Sequence, residues 1–454
     1  MTPTARPTEN LLAHGLGGSE FLPVPLTAVL IGGAWALTIS FAVIAFAWRT
    51  ARYGRSDAGR ELPGWVTATV DNRWVRGVIA GAALILTAWL VVAAFGPSHD
   101  NPLPGSFYVL LWVGMIVLSV LIGPVWRLLS PIRTVLRIAR GIFGPRVVGL
   151  TDYPRRLGWW PAAFGLFAFV WLELASPEPN SVSSVRIWLL CYLAITLVGG
   201  IICGLRWTED ADPFAVYSTV ASRLSPFAKN TDGRVIVRSP MNSLTTLPIR
   251  PGTVTVLAIL LGSTAFDSFS AFPQWQDFVA EQAGGDGATG NQAIATLVST
   301  AGLLVFVGVV AVTFWSAARA VGGVQQPDLR RRLPGLMAHS LVPIVIGYIL
   351  AHYLQSLVEQ GQEAILALGD PLGRGWNLLW LSDAHPVYIM SDHPTVTVTL
   401  KVVFVVGGHM LGVAAAHDAS LRLLPRRHQL TGQLTMMVTM VCYTFLGLYL
   451  LFGG

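Results

Sequence analysis

The chain has 454 residues, of which 53% are hydrophobic and only 12% charged, against about 25% charged in an average soluble domain. That balance excludes a soluble globular protein, a disordered chain and a secreted disulfide scaffold, and leaves an all-α polytopic transmembrane helix bundle. The formal charge is +6, but no basic segment forms a recognisable nucleic-acid module, so nucleic acid is not an expected partner and the lipid bilayer is.

Ten runs are long and apolar enough to span a bilayer, which takes about 20 residues. They lie near 25–48, 76–96, 106–126, 159–176, 183–205, 251–270, 292–316, 335–358, 396–416 and 431–452. The first follows 24 residues holding one basic residue, Arg6, rather than the basic start of a cleaved leader. It ends in Arg49, Arg52 and Arg55, which assigns that end to the cytoplasm.

The remaining cations repeat that assignment. Alternate connections at 49–76, 127–156, 206–250, 317–333 and 417–430 carry 26 of the 30 Lys and Arg residues, with ten of the 24 acids. Their balance is +16, against −10 elsewhere. The expected arrangement is a multi-pass plasma-membrane protein with both termini outside. It forms a single integral domain over 1–454, with a cytoplasmic connection at 206–250 and outer loops at 271–291 and 359–395. The outer loops include Gly284-Gly285-Asp286-Gly287, a flexible stretch, and the turn-rich 369–376, expected to fold over the outer mouth.

Two cytoplasmic stretches read alike. Ser130-Pro131 and Asp212-Pro213 each place a capping residue before a proline, the start signal of a helix. Both predict short amphipathic helices at the inner interface, and their spacing hints at a duplicated two-span unit. Asn230-Thr231-Asp232-Gly233 followed by alternating 234–238 predicts a short hairpin. Cys191, Cys203 and Cys442 lie inside apolar runs and read as packing residues.

An ionisable group inside a span costs about 2.5–3.5 kcal/mol on insertion scales, so each needs a partner or a task. Lys401 lies near a span end and is expected to snorkel. Glu173, Asp267 and His352 sit about 21, 24 and 26 Å above the inner ends of their spans. They form one outer level, which His14 approaches from the N-terminal segment. Tyr348, His352, Gln355 and Glu359 share one face of span eight.

This level has two readings. In one, His14, Asp267 and His352 ligate zinc or another divalent metal that activates a water, with Glu173, Asp267 and His352 as the catalytic set. In the other, the groups satisfy one another or face a wet vestibule. Ser263 with Asp267 and His352 imitates a Ser–Asp–His set, although the GxSxG elbow is missing. An inner pair, His339 and His409, has the residue type and expected depth for a haem or a proton relay. Gly407, Gly408 and Gly412 there allow close helix approach.

Several stretches carry a family resemblance. They are 14–18 (HGLGG) with 22–25 (LPVP), Asp212-Pro213-Phe214 with Tyr217-Ser218, and 261–270 (LGSTAFDSFS). To these are added 338–343 (AHSLVP) with His352-Tyr353, and Gly408-His409 through His417-Asp418. Across most of its length the chain resembles the actinobacterial polytopic membrane proteins commonly labelled fenitrothion hydrolase. The resemblance implies a membrane-bound hydrolase of organophosphate esters acting on a small-molecule substrate. The polar residues alone leave two other functions open. One is a proton- or metal-linked permease, and the other is an assembly factor with a protein partner.

Overall fold

The computed structural model describes residues 22–54, 59–144, 147–285, 290–324, 326–381, 383–429 and 431–453. His14, Asp286 and Gly287 therefore lie outside the described residues. Among those described, nine helical stretches are long and apolar enough to cross a membrane, and Trp160–Leu174 is a shorter apolar helix. Together they match the ten expected runs, and the protein is an all-α polytopic membrane bundle.

The elements that position the candidate site are α1 (Leu26–Ala47), α2 (Arg73–Ala93), α3 (Pro102–Ile122), α4 (Pro131–Phe143), α5 (Trp160–Leu174), α6 (Val182–Cys203) and α7 (Pro213–Ala221). They continue with α8 (Thr253–Ser270), α9 (Pro273–Ala283), α10 (Gln292–Arg319), α11 (Leu341–Val358), α12 (Gln360–Ala367), α13 (Pro394–Leu423) and α14 (Leu434–Phe452). Three short strands, β1 (Arg60–Glu61), β2 (Phe227–Lys229) and β3 (Val235–Val237), form an antiparallel sheet in the order β1-β3-β2. The expected hairpin is thus present, and it recruits a third strand from the connection after α1.

Helices α8 and α11 form the centre of the bundle, while α2 and α10 present most of their surface to lipid. Lipid tails are as apolar as leucine, so helix association here depends on close packing. The α11–α13 contact shows it. A Cβ on Gly347 would lie 2.4 Å from the Phe404 carbonyl oxygen, and one on Gly408 would lie 2.6 Å from that of Pro343.

The five basic connections meet at one end of the bundle. Arg234 pairs with Glu61 and Lys229 with Asp71. Arg133 pairs with Glu209, and the backbone N–H of Arg52 donates to Asp418. Gly322 N–H donates to the Gly432 carbonyl. His417 bridges the Trp48 carbonyl and the Gln433 side chain, so α13, α1 and α14 close together there.

The two Pro-initiated helices differ from expectation. Ser130 caps α4 as expected, and α4 keeps Arg140 exposed, but Arg133 turns inward to Thr208 and Glu209. Helix α7 does not lie at the interface, because all nine of its residues are buried against α3 and α5. Buried backbone groups must be satisfied within the protein. Asp212 does this, accepting from the N–H groups of Phe214 and Ala215 while Trp126 Nε1 and the Tyr192 hydroxyl donate to its carboxylate. Lys401 is also buried rather than snorkelled. Cys191 and Cys442 lie on the outside of the bundle.

Candidate functional site

Glu173 and Asp267 come to one level because their helices start from a shared tie. Trp159 N–H donates to the Pro251 carbonyl at 2.7 Å just before α5 and α8 begin. Gly252 permits this contact, since its φ is +92° and a Cβ there would lie 3.0 Å from the Trp159 backbone. Glu173 is then thirteen residues along from Trp160 and Asp267 fourteen along from Thr253, each about 20 Å from the tie.

His352 reaches the same level from α11. Its Nε2 lies 2.9 Å from Asp267 Oδ2, and the Tyr353 hydroxyl donates to the same oxygen. The other imidazole nitrogen, Nδ1, lies 3.2 Å from Ser268 Oγ, which is 3.1 Å from the Tyr348 hydroxyl and 3.3 Å from the Thr264 carbonyl. Asp267, Ser268, Tyr348 and Tyr353 are all buried. The serine beside the histidine is therefore Ser268. Ser263 instead bonds back to the Leu260 carbonyl, as serines in membrane helices commonly do.

Glu173 is half-buried, with Oε2 enclosed and lacking a hydrogen-bond partner among the described residues. It lies within electrostatic reach of Asp267, Tyr108, Tyr217 and Tyr353. A stack of Phe169, Trp112 and Tyr217, with centroids 4.6 and 4.4 Å apart, packs below it. Trp112 and Tyr108 come from a π-helical stretch of α3, Ser106–Gly114. Such widened turns recur at functional sites.

A cavity of about 440 Å³ opens beside this cluster between α5, α9 and α10. Its lining includes Leu174 and Ser270, the first adjacent to Glu173 and the second three residues past Asp267. Gln276, Asn291, Gln292 and Thr296 supply polar groups to it. On the same side, Glu359 accepts from the N–H and hydroxyl of Ser391, which fastens the 359–395 loop over the end of α11.

The expected metal set is not assembled among the described residues, where no group of three or more His, Cys, Asp or Glu converges to hold an ion. His14 lies outside them. Both nitrogens of His352 are already engaged, so ligation there would require one to leave its present partner. The inner histidines occupy different surroundings. His339 donates from Nδ1 to the Leu336 carbonyl and shares a cavity with Ala419 and Arg422. His409, ten residues back along α13 from Ala419, donates from Nδ1 to the Val405 carbonyl. Among the described residues no hydrogen bond or ring contact joins the two.

Tyr353 and Ser268 escaped sequence reasoning, which weighted ionisable groups, whereas Tyr348 was expected on the polar face of span eight and meets Ser268 there. The usable signal for those two was adjacency: Ser268 follows Asp267, and Tyr353 follows His352. No protein-family model matches the chain, and no curated protein or solved structure matches it significantly.

Proposed function

We propose that the protein is a plasma-membrane permease that exchanges protons for a small cationic solute at the Glu173–Asp267–His352 cluster, with the basic end in the cytoplasm and both termini outside. The observation that carries this reading is the double hydrogen-bonding capacity around His352. With the imidazole neutral and protonated on Nε2, Tyr348 donates to Ser268, Ser268 donates to Nδ1, and Nε2–H donates to Asp267. With the imidazole protonated, Nδ1–H donates to Ser268, whose hydroxyl turns to the Thr264 carbonyl. A proton is thus gained or lost by rotating one hydroxyl, without stranding a polar group.

Charge balance supplies the coupling. Two ionised carboxylates beside a neutral imidazole carry a net charge of −2, which a membrane interior disfavours, and the proton gained at His352 halves it. Release of that proton favours entry of a cation in its place, and the adjoining cavity is the entrance. The test is purified protein in liposomes loaded with a pH-sensitive dye, scanned with small organic and inorganic cations. Cation-dependent proton movement lost in Asp267→Asn and Glu173→Gln supports the reading. Proton movement no greater than in empty liposomes for every cation, or unchanged in both variants, overturns it.

The second reading is the ester hydrolase implied by the family resemblance, and the Ser268–His352–Asp267 chain favours it. Purified protein would then release nitrophenol from an organophosphate triester, and Ser268→Ala and His352→Ala would abolish that release. Equal rates in both variants and wild type would rule this reading out.

A further inference from the structure

The lipid-facing side of α5 and α6 carries a groove unrelated to the buried carboxylates. Two cavities of about 440 and 400 Å³ adjoin there, sharing Ile195 and Trp207 in their linings. The walls are almost wholly apolar, with Phe164 and Ile195 exposed on its margin and Ala168 and Ala194 leaving space between them. Trp207 forms the floor at one end. Its indole lies flat against Gly199, where a Cβ would come within 2.1 Å of the ring. Along α6 the lining runs from Trp188 to Cys203, about 22 Å. That exceeds the roughly 15 Å depth of one hydrocarbon leaflet, so a whole acyl chain fits along it.

The foot of the groove is basic. Tyr153 contacts the Trp207 ring edge-on at 6.0 Å, and Thr151 N–H donates to the Ile202 carbonyl, which holds the 151–156 segment at that end. Arg155 and Arg156 follow Tyr153 by two and three residues, both exposed and without an ion pair among the described residues. Arg206 precedes Trp207 and is half exposed, although it is shared with Asp210 and Glu209. An apolar slot ending at two exposed arginines matches a ligand with one long chain and an anionic head.

We propose that this groove binds an anionic phospholipid, with an acyl chain along α6 and the phosphate at Arg155 and Arg156. The test is native mass spectrometry of the detergent-purified protein titrated with phosphatidylglycerol or phosphatidylcholine. Wild type retains one phosphatidylglycerol in preference to phosphatidylcholine. Ala168→Trp and Ala194→Trp each fill the groove from a lipid-exposed position and lose that lipid. Arg155→Gln/Arg156→Gln retains the chain site but lowers the preference by about thirtyfold, given the usual strength of an arginine beside an anionic membrane surface. Two tryptophan variants are used so that a folding failure in one leaves the other informative. Equal retention of the two lipids by wild type, or undiminished phosphatidylglycerol in the tryptophan variants, overturns the proposal.

Discussion

Asp267 Oδ2 receives two donors from consecutive residues of α11, His352 and Tyr353. Neighbouring side chains on a helix diverge by about 100°. They converge on one oxygen only because Asp267 projects between them from the adjoining α8. The arrangement fixes the imidazole plane and leaves Nδ1 to face Ser268. It also separates Asp267 from Glu173 in role: one carboxylate is held on two sides, while the other keeps an oxygen without a partner among the described residues.

That contrast predicts unequal stability effects. Asp267→Ala leaves His352 and Tyr353 without their acceptor and is expected to cost about 3–5 kcal/mol, the range for breaking a buried pair from one side. Glu173→Gln removes no hydrogen bond to Oε2 and is expected to stay within about 1 kcal/mol of wild type. Reversible unfolding of the two variants in mixed micelles compares them directly, and equal losses would contradict the assigned geometry.

The buried helix α7 depends on its cap. Asp212→Ala removes the acceptor for two backbone N–H groups and strands Trp126 Nε1 and the Tyr192 hydroxyl. Losing a cap costs about 1 kcal/mol, and each stranded buried donor about 1–3 kcal/mol. Asp212→Asn keeps a side-chain oxygen for the cap and is expected to recover part of the loss. Thermal denaturation followed by circular dichroism should rank wild type above Asp212→Asn, and Asp212→Asn above Asp212→Ala.

Glycines divide by what surrounds them. Gly347→Val and Gly408→Val drive a side chain into backbone across the α11–α13 contact and should lower the yield of folded protein sharply. Gly77→Ala and Gly81→Ala on α2 meet nothing within 4 Å and should stabilise by about 0.5–1 kcal/mol each through helix propensity. Expression of monodisperse protein by size-exclusion chromatography separates the two groups.

A pH dependence is expected of the 359–395 loop. Asp370 is held below the usual carboxylate range by the backbone N–H groups of Arg374 and Gly375, which its carboxylate accepts at 2.9 and 2.6 Å. A carboxyl depressed in the folded state stabilises the loop above its unfolded pKa, and that stabilisation is lost as pH falls through the folded value. Hydrogen exchange of the 369–378 peptide, corrected for the intrinsic pH effect, should show protection at neutral pH that fades under acid conditions. Asp370→Ala should lack that protection at every pH.

The residues chosen from the sequence by membrane energetics were half of the candidate site. Glu173, Asp267 and His352 were legible because a charge in an apolar run is rare and its depth follows from residue count. Tyr348 was legible through its spacing from His352, but Tyr353 and Ser268 were not, since tyrosine and serine are common in membrane helices and only a facing helix shows which of them have a role. Helix α7 was misplaced for a related reason. Asp212-Pro213 announces a helix start, but nothing in that signal says whether the helix lies on the bilayer surface or inside the bundle.

By itself the sequence determined the membrane class, the runs that become helices, and the connections that carry the cations, because hydrophobic length and charge are summed along the chain. The tertiary structure decided which helices are central, which polar groups meet, and that Asp267 is shared between His352 and Tyr353. Those depend on the rotation of each helix about its axis and on close approaches such as Gly347 against Phe404. In a bilayer, where nearly every face of a span is apolar, the pattern of residues along one helix leaves that rotation undetermined.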